Sequence, residues 1–229
     1  MEGVVTMPAS PEFPYPRRYN SLRLLGFDYS STTDIYFLTV DTHLSAPVCG
    51  DIKLAKAILA ALLHPKTQEK IRLFAYTLLP DHLHLLAGVK EAGKTLSVAL
   101  GAFKSYTTQL FWKRSREIVS EGCVAMPPVA VTKSADTEAK QLLTALVERP
   151  AVLRPEALVL KNWPRVHPGQ FIGKQLWHTK FNDHIIRSAE DLRETMSYIS
   201  LNPVRRGYVS RPEFYPFTGF GVDMRDDDN

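Results

Sequence analysis

A pair of apolar runs in the middle of the chain constrains its fold more than any other feature. The runs cover residues near 71–79 and 82–89, and a tight Pro-Asp turn separates them, which predicts a β-hairpin. His82 and His84 open the second strand, and side chains two apart on a strand share one face. Both imidazoles therefore point the same way, while Leu83 points into the core. Such a pair can hold one divalent cation, although two histidines at a strand mouth without a metal give the same pattern.

The composition is that of a globular protein with a mild positive charge. The chain has 229 residues, of which 45% are hydrophobic, a net charge of +4 and a pI of about 9.0. This charge is compatible with a nucleic-acid partner. Cys49 and Cys123 lie far apart and in no metal-binding spacing, which fits a reducing compartment. No run is apolar enough to cross a membrane and no signal-peptide pattern is visible, so we expect a cytoplasmic protein.

The distribution of proline and charge predicts one main domain. Residues 1–16 hold four prolines and are expected to form a flexible arm. Residues 17–220 are expected to form a single domain, and the acidic residues 221–229 a disordered tail. Within the domain, the proline-rich stretch 117–170 lacks clear periodicity. It is predicted to be an insertion with one helix near 135–148.

The remaining periodicities predict an α+β fold. We expect an antiparallel sheet with the two histidines on a central strand and with helices packed on it. The other predicted elements are a strand at 35–40, a helix that begins after Asp51 and ends before Pro65, a helix at about 95–114, an extended segment at 175–181, and a helix that begins at Ser188 and is ended after Asn202 by Pro203.

The helix at about 95–114 has an unusual charge pattern. No acidic residue occurs between Ala92 and Arg116, while five lysines and arginines do, Lys104 among them. Hydroxyl-bearing residues at 105–108 lie between the basic positions. This pattern occurs on solvated helix faces, but the absence of acids favours contacts with phosphate groups.

The C-terminal helix supplies candidates for a third ligand and a nucleophile. Tyr198 and Asn202 are four residues apart and therefore share a helix face. Packed beside the histidine strand, Asn202 would complete a site of two nitrogens and one oxygen, and Tyr198 could attack a phosphorus held there. The same spacing also fits a tyrosine packed at a helix end and an asparagine that caps the helix.

Four stretches of the chain resemble the single-tyrosine HUH transposases, and they occur in the same order as in that family. Within the family, the resemblance is to the REP-associated tyrosine transposase (RAYT) branch of the IS200-like transposases. The stretch 79–86 carries a His-hydrophobic-His motif of that kind. The other three are residues 23–30 followed by 36–40, which resemble the opening strand of the family, residues 101–108, which resemble its central helix, and residues 177–209, which resemble its C-terminal block. The stretch 117–170 is longer than the resemblance leads us to expect.

The resemblance implies a fold and a set of roles. The fold would be that of the HUH endonucleases, with a core like that of ferredoxins and RNA-recognition motifs. His82, His84 and Asn202 would bind a divalent metal, Mg²⁺ or Mn²⁺, and Tyr198 would be the nucleophile. Tyr106 is the second choice of nucleophile, but it has no ligand-type residue four positions on.

The implied activity is that of a metal-dependent single-stranded DNA endonuclease and strand transferase. It would act on DNA beside a hairpin through a 5′-phosphotyrosine intermediate, as a monomer or a homodimer. Candidate phosphate contacts are Arg17, Arg18, Lys104, Arg205 and Arg206. Two alternatives are a DNA-binding protein that has lost the chemistry and a metal-dependent hydrolase in which water is the nucleophile.

Overall fold

Five antiparallel strands and four α-helices make up the part of the chain that the computed structural model describes, residues 29–90, 95–120, 163–164 and 175–221. The strands are β1 (Ile35–Asp41), β2 (Ile71–Leu78), β3 (His82–Val89), β4 (Asn182–Ile186) and β5 (Thr218–Phe220). The helices are α1 (Ile52–Leu62), α2 (Pro65–Gln68), α3 (Leu96–Ser120) and α4 (Ala189–Arg205).

The strands form one sheet in the order β4-β1-β3-β2-β5, with every neighbouring pair antiparallel. The predicted α+β class is confirmed, and the histidine strand β3 lies at the centre of the sheet. The hairpin strands β2 and β3 have the predicted bounds to within one residue. Because central strands are paired on both sides, β3 gives its side chains a fixed backbone.

The two faces of the sheet differ in what they bury. On one face, α1 and α3 pack over a large apolar cluster that includes Leu38, Leu83 and Leu85. On the other face, α4 covers a smaller cluster formed around Phe37 and Leu86. His82 and His84 alternate with Leu83 and Leu85 along β3, and they therefore lie on the α4 face.

Two helix starts follow the predicted capping chemistry. The Asp51 carboxylate accepts a hydrogen bond from the Leu54 backbone at 2.7 Å and so caps α1. The same carboxylate pairs with Arg114 of α3 at 3.1 Å, which ties the two helices together. Ser188 caps α4 by accepting a bond from Asp191 N at 3.1 Å.

The end of α4 differs from the prediction. Pro203 lies inside the helix, which continues to Arg205. The chain leaves the helix at Gly207, whose φ of 71° is in the left-handed region that glycine tolerates. Gly207 N donates to Val204 O and Tyr208 N donates to Pro203 O, which is a Schellman motif. Pro203 lacks an N–H group and so removes one backbone hydrogen bond near the end of the helix without ending it. The left-handed conformation of Gly207 is what ends the helix.

Other bounds also shifted. Helix α3 extends to Ser120, six residues past the predicted end. Among the described residues, the extended segment at 175–181 pairs only through a bridge between Thr42 and Trp177, and the edge strand β4 follows it at Asn182–Ile186. The predicted arm 1–16, the helix near 135–148 and residues 222–229 of the predicted tail lie outside the described residues.

Trp163 belongs to the predicted insertion but packs on the domain. Its indole nitrogen donates to Gly50 O at 2.8 Å, and its ring contacts those of Tyr208, Tyr215 and Phe217 at centroid distances of 5.3 to 6.1 Å. Trp163 therefore packs against the domain core. None of the described helices has both the length and the hydropathy needed to cross a membrane.

Candidate active site

The two histidines of β3 are buried side by side beneath α4. His82 is 6% exposed and His84 is 3% exposed. In the register of the sheet, His84 lies opposite Thr39 of β1 and His82 lies opposite Asp41. The prediction that both imidazoles share a face is confirmed, but they are more deeply enclosed than residues at an open strand mouth.

Hydrogen bonds at Nδ1 fix the orientation of both rings. The Asp81 carboxylate lies 2.6 Å from His82 Nδ1, and the Thr39 hydroxyl lies 2.9 Å from His84 Nδ1. The Nε2 atoms of the two rings consequently face each other at 3.1 Å. Partners on the far ring nitrogen are the usual means by which proteins aim histidine ligands at a metal.

Asn202 brings a third polar group to the same point. Its amide nitrogen is placed 3.2 Å from His84 Nε2, and rotation of the amide would present the oxygen instead, because the two atoms are assigned from their hydrogen bonds. Asn202 is 5% exposed, so the amide is enclosed with the rings.

The donor set fits a divalent cation. Two ligand atoms that each lie about 2.1 Å from one ion, at roughly a right angle, are about 3 Å apart, close to the separation of the Nε2 atoms. Two imidazoles and an amide oxygen would leave coordination positions for water or phosphate oxygens. Within the described parts of the chain, no cluster of three or more His, Cys, Asp or Glu side chains could hold a metal. The asparagine is therefore needed to complete a set of three.

Tyr198 lies against this group. Its ring centroid is 5.4 Å from that of His84 and 5.8 Å from that of Phe37, in edge-to-face geometry. The guanidinium carbon of Arg205 lies 5.3 Å from the centre of the Tyr198 ring. The tyrosine is partly buried, and its ring is held by these contacts. Tyr106 is on α3 and is separated from the histidines by the sheet; it is 54% exposed.

Asp81 links the histidine site to the end of α4. Burial acts to raise the pKa of the Asp81 carboxyl, but the hydrogen bond to His82 and the electrostatic interactions with His82 and Arg206 outweigh it and lower the pKa. One Arg206 nitrogen lies 3.8 Å from the other carboxylate oxygen. Asp81 therefore carries a negative charge that favours a bound cation.

The sequence motifs did not predict Asp81 or Thr39 as site residues. The position of Asp81 directly before His82 was a usable signal, because a turn carboxylate next to a strand-opening imidazole can reach it. Thr39 could be found only from the register between β1 and β3.

The predicted phosphate contacts are divided between the two sides of the sheet. Arg205 and Arg206 are exposed at the end of α4, beside Tyr198 and Asp81. Lys104 is half-buried on α3, and its ammonium group donates to His178 O at 2.5 Å and Thr179 O at 3.0 Å. Arg17 and Arg18 lie outside the described residues.

Fold and site together define a class: an antiparallel α+β domain in which a helix brings a tyrosine and an asparagine onto two histidines of the central strand. The REP-associated tyrosine transposase of Escherichia coli strain K12 is 37% identical to the chain over 51 residues, which are 22% of this chain and 31% of that protein. A Haemophilus influenzae relative whose name assigns it to the same family is 36% identical over 50 residues, 22% of this chain and 28% of that protein. Over about 50 residues the chain is thus similar to two proteins named as REP-associated tyrosine transposases, the family that its motifs resemble.

These matches are partial. The chain covers less than a third of the length of either curated relative. No family model matches the chain. A solved structure of a REP-associated tyrosine transposase bound to a REP hairpin aligns over 84% of this chain and 79% of that one, with a TM-score of 0.44 and 17% identity.

Proposed function

We propose that the protein is a metal-dependent single-stranded DNA endonuclease and strand transferase that acts beside a DNA hairpin and forms a 5′-phosphotyrosine intermediate on Tyr198. One observation carries the proposal: His84 Nε2 lies 3.1 Å from His82 Nε2 and 3.2 Å from the Asn202 amide, and the Tyr198 ring packs against the His84 ring. The relationship to tyrosine transposases over part of the chain supports it.

The chemical step exchanges one phosphate ester for another. The Tyr198 oxygen attacks the phosphorus, a tyrosyl–phosphate bond forms, and the bond to the 3′ oxygen breaks. The proton lost by the phenol is matched by the one that the 3′ oxygen gains. Because one ester replaces another, the 3′ hydroxyl can attack the tyrosyl ester later and rejoin strands without a nucleotide cofactor.

His82, His84 and Asn202 would hold the divalent cation. When bound, such an ion offsets charge on the scissile phosphate and orients it for in-line attack. The Asp81 and Thr39 contacts hold the imidazoles in the orientation that ligation requires. Phe37 and His84 hold the tyrosine ring from the sheet side, which reduces the freedom the nucleophile loses on reaction.

The arginines at the end of α4 would bind the DNA backbone at the site. Arg205 is exposed over the Tyr198 ring, so a phosphate beside the tyrosine hydroxyl would meet a planar guanidinium. Arg206 is shared with Asp81 at 3.8 Å and is a weaker candidate for direct contact.

The test is the formation of a covalent adduct. Single strands that carry a hairpin from the DNA flanking the gene are labelled at the 3′ end, because a 5′-phosphotyrosine link retains the 3′ part of the strand. After incubation with Mn²⁺, a denaturing gel should show labelled DNA at the mass of the 25.8 kDa chain plus the fragment. Tyr198→Phe should show neither adduct nor cleavage, and Tyr106→Phe should behave as wild type.

Three outcomes would contradict the proposal. An adduct that persists in Tyr198→Phe and disappears in Tyr106→Phe would assign the chemistry to α3. Cleavage without any adduct would indicate a hydrolase with water as nucleophile. Binding without cleavage under all metal conditions would indicate a DNA-binding protein.

A further inference from the structure

A groove of about 600 Å³ lies between α3 and the segment 175–181, on the face of the sheet opposite the histidines. Its size falls within the range of ligand-binding clefts. The described lining contains Lys104 but no aspartate or glutamate. The rest of its lining consists of Leu100, Gly101 and His178 together with hydroxyl, amide and aromatic side chains, among them Ser105, Gln109, Trp112, Gln175 and Phe181.

The walls of the groove are fixed to each other. Lys104 reaches from α3 to the carbonyl oxygens of His178 and Thr179. The Trp177 indole donates to the Thr107 hydroxyl at 2.8 Å, and its ring packs against Phe103 at a centroid distance of 6.2 Å. The groove is therefore a built feature of the domain.

The lining chemistry is compatible with an anionic ligand that has aromatic parts. Lys104 donates to two neutral carbonyl oxygens, so within the described residues its charge is not paired with a carboxylate. Trp112 is 40% exposed at the groove, which leaves ring surface for stacking. The Gln109 amide can bond to the polar edge of a base. A cation, an exposed aromatic ring and amides are the elements by which proteins bind single-stranded nucleic acid.

The groove begins close to the candidate active site despite lying on the other face. Phe181 lines it, and the next residue, Asn182, opens the edge strand β4. The Asn182 amide lies 3.5 Å from the carboxylate of Asp41, and Asp41 is opposite His82 in the sheet. The edge strand β4 therefore lies two strand spacings, about 10 Å, from β3.

We propose that this groove binds a single-stranded segment of the DNA substrate as it leaves the active site around the β4 edge. The inference rests on the proposed function for the identity of the substrate. The groove would then fix where the single strand runs relative to the hairpin, and so contribute to the choice of cleavage position.

Gly101 offers a clean test because a side chain added there enters open groove space. A Cβ at this position meets no heavy atom within 4 Å. Gly101→Glu places a carboxylate in the groove, and Gly101→Gln adds the same bulk without charge. Ala102 is exposed on the same helix and does not line the groove, so Ala102→Glu is the matched control for charge alone.

Binding is measured in chelator, so that no cleavage occurs, with a labelled hairpin that carries a single-stranded arm and with the same hairpin without it. For the arm-bearing probe at low salt, we expect Gly101→Glu to weaken binding about tenfold, and the effect should shrink as salt is added. Gly101→Gln should have a smaller effect, and Ala102→Glu almost none. Trp112→Ala should weaken binding about tenfold through lost stacking, and Trp112→Phe should restore part of it.

Either of two results would overturn the inference. One is equal loss in Gly101→Glu and Ala102→Glu, which would reflect charge on the helix as a whole. The other is an equal loss for the probe without an arm, which would mean that the groove does not select single strands. A wild type that binds the arm through the groove but forms no adduct would support this inference while contradicting the proposed chemistry.

Discussion

The strands present different side chains on the two faces of the sheet. Beneath α1 and α3 the strands contribute aliphatic and aromatic side chains, and the cluster there contains most of the buried apolar residues. Beneath α4 the strands and the helix bury His82, His84, Thr195 and Asn202 within a much smaller apolar cluster. The comparison indicates that apolar burial on the α1 and α3 face stabilises the domain. This stability offsets the cost of burying polar side chains on the α4 face.

Adjacent residues of β3 give the largest expected contrast. Leu85 is fully buried on the α1 and α3 face, and Leu85→Ala should lower the free energy of unfolding by about 3 kcal/mol, through lost transfer energy and a cavity. Protein that remains folded should still form the covalent adduct. Urea denaturation measures the stability, and the gel assay measures the adduct. If the adduct decreases only as much as the folded fraction does, the prediction holds. Loss of the adduct in fully folded protein would contradict it.

His84→Gln should reverse that contrast one residue away. It keeps a polar side chain of similar length, so the free energy of unfolding should fall by no more than about 1.5 kcal/mol. Cleavage and adduct formation should nevertheless fall to background, because the convergence of two imidazoles is lost. Excess chelator should have the same effect on wild type. Full activity in chelator would contradict the metal site.

Thr195→Val should stabilise the protein. Thr195 is 1% exposed, and its hydroxyl has no hydrogen-bond partner among the described residues. Valine has nearly the same shape and no unsatisfied group, so we expect a gain of about 1 kcal/mol in urea denaturation. The control is Thr77→Val, since the fully buried Thr77 hydroxyl bonds to that of Thr218 at 2.6 Å and its loss should destabilise. Similar changes in both variants would disprove the argument.

The reactivity of Cys49 should report how often the apolar cluster on the α1 and α3 face opens, and no substitution in that cluster is needed to measure it. Burial, followed by the charges of Asp81 and Asp51, raises the pKa of the Cys49 thiol well above its ordinary value. Thiolate is therefore scarce in the folded state, and alkylation near pH 8 should be at least about a hundredfold slower than in urea. A Cys123→Ser background isolates the signal. Rapid alkylation of native protein would mean that this face opens readily.

Much of the fold could be predicted because its signals are local. The hairpin and α1 follow from short periodicities and from capping residues such as Asp51 that act within a few positions. Strand β4 was missed because its five residues lie at an edge and only partly alternate. The end of α4 was misplaced because Pro203 is a stronger signal in general than the glycine that ends this helix.

Prediction of the candidate site stopped at contacts between distant segments. The likeness of motifs identified His82, His84, Tyr198 and Asn202, and the structure brings these four together. Thr39 could not be predicted as a site residue because it lies 45 residues from His84 in the sequence. Their hydrogen bond forms only when β1 pairs with β3. The groove on α3 was invisible for the same reason, since its walls come from segments separated by more than 70 residues.

The central position of β3 has a consequence for motion. All eight residues of β3 are buried, and both of its edges are bonded to neighbouring strands, so its amides should exchange with solvent only when the whole domain unfolds. Tyr198 and Asn202 belong instead to the last turns of a helix, where fraying normally begins, and Gly207 closes those turns. Any opening that admits DNA or a metal ion without global unfolding must therefore come from movement of α4 above a stationary pair of histidines.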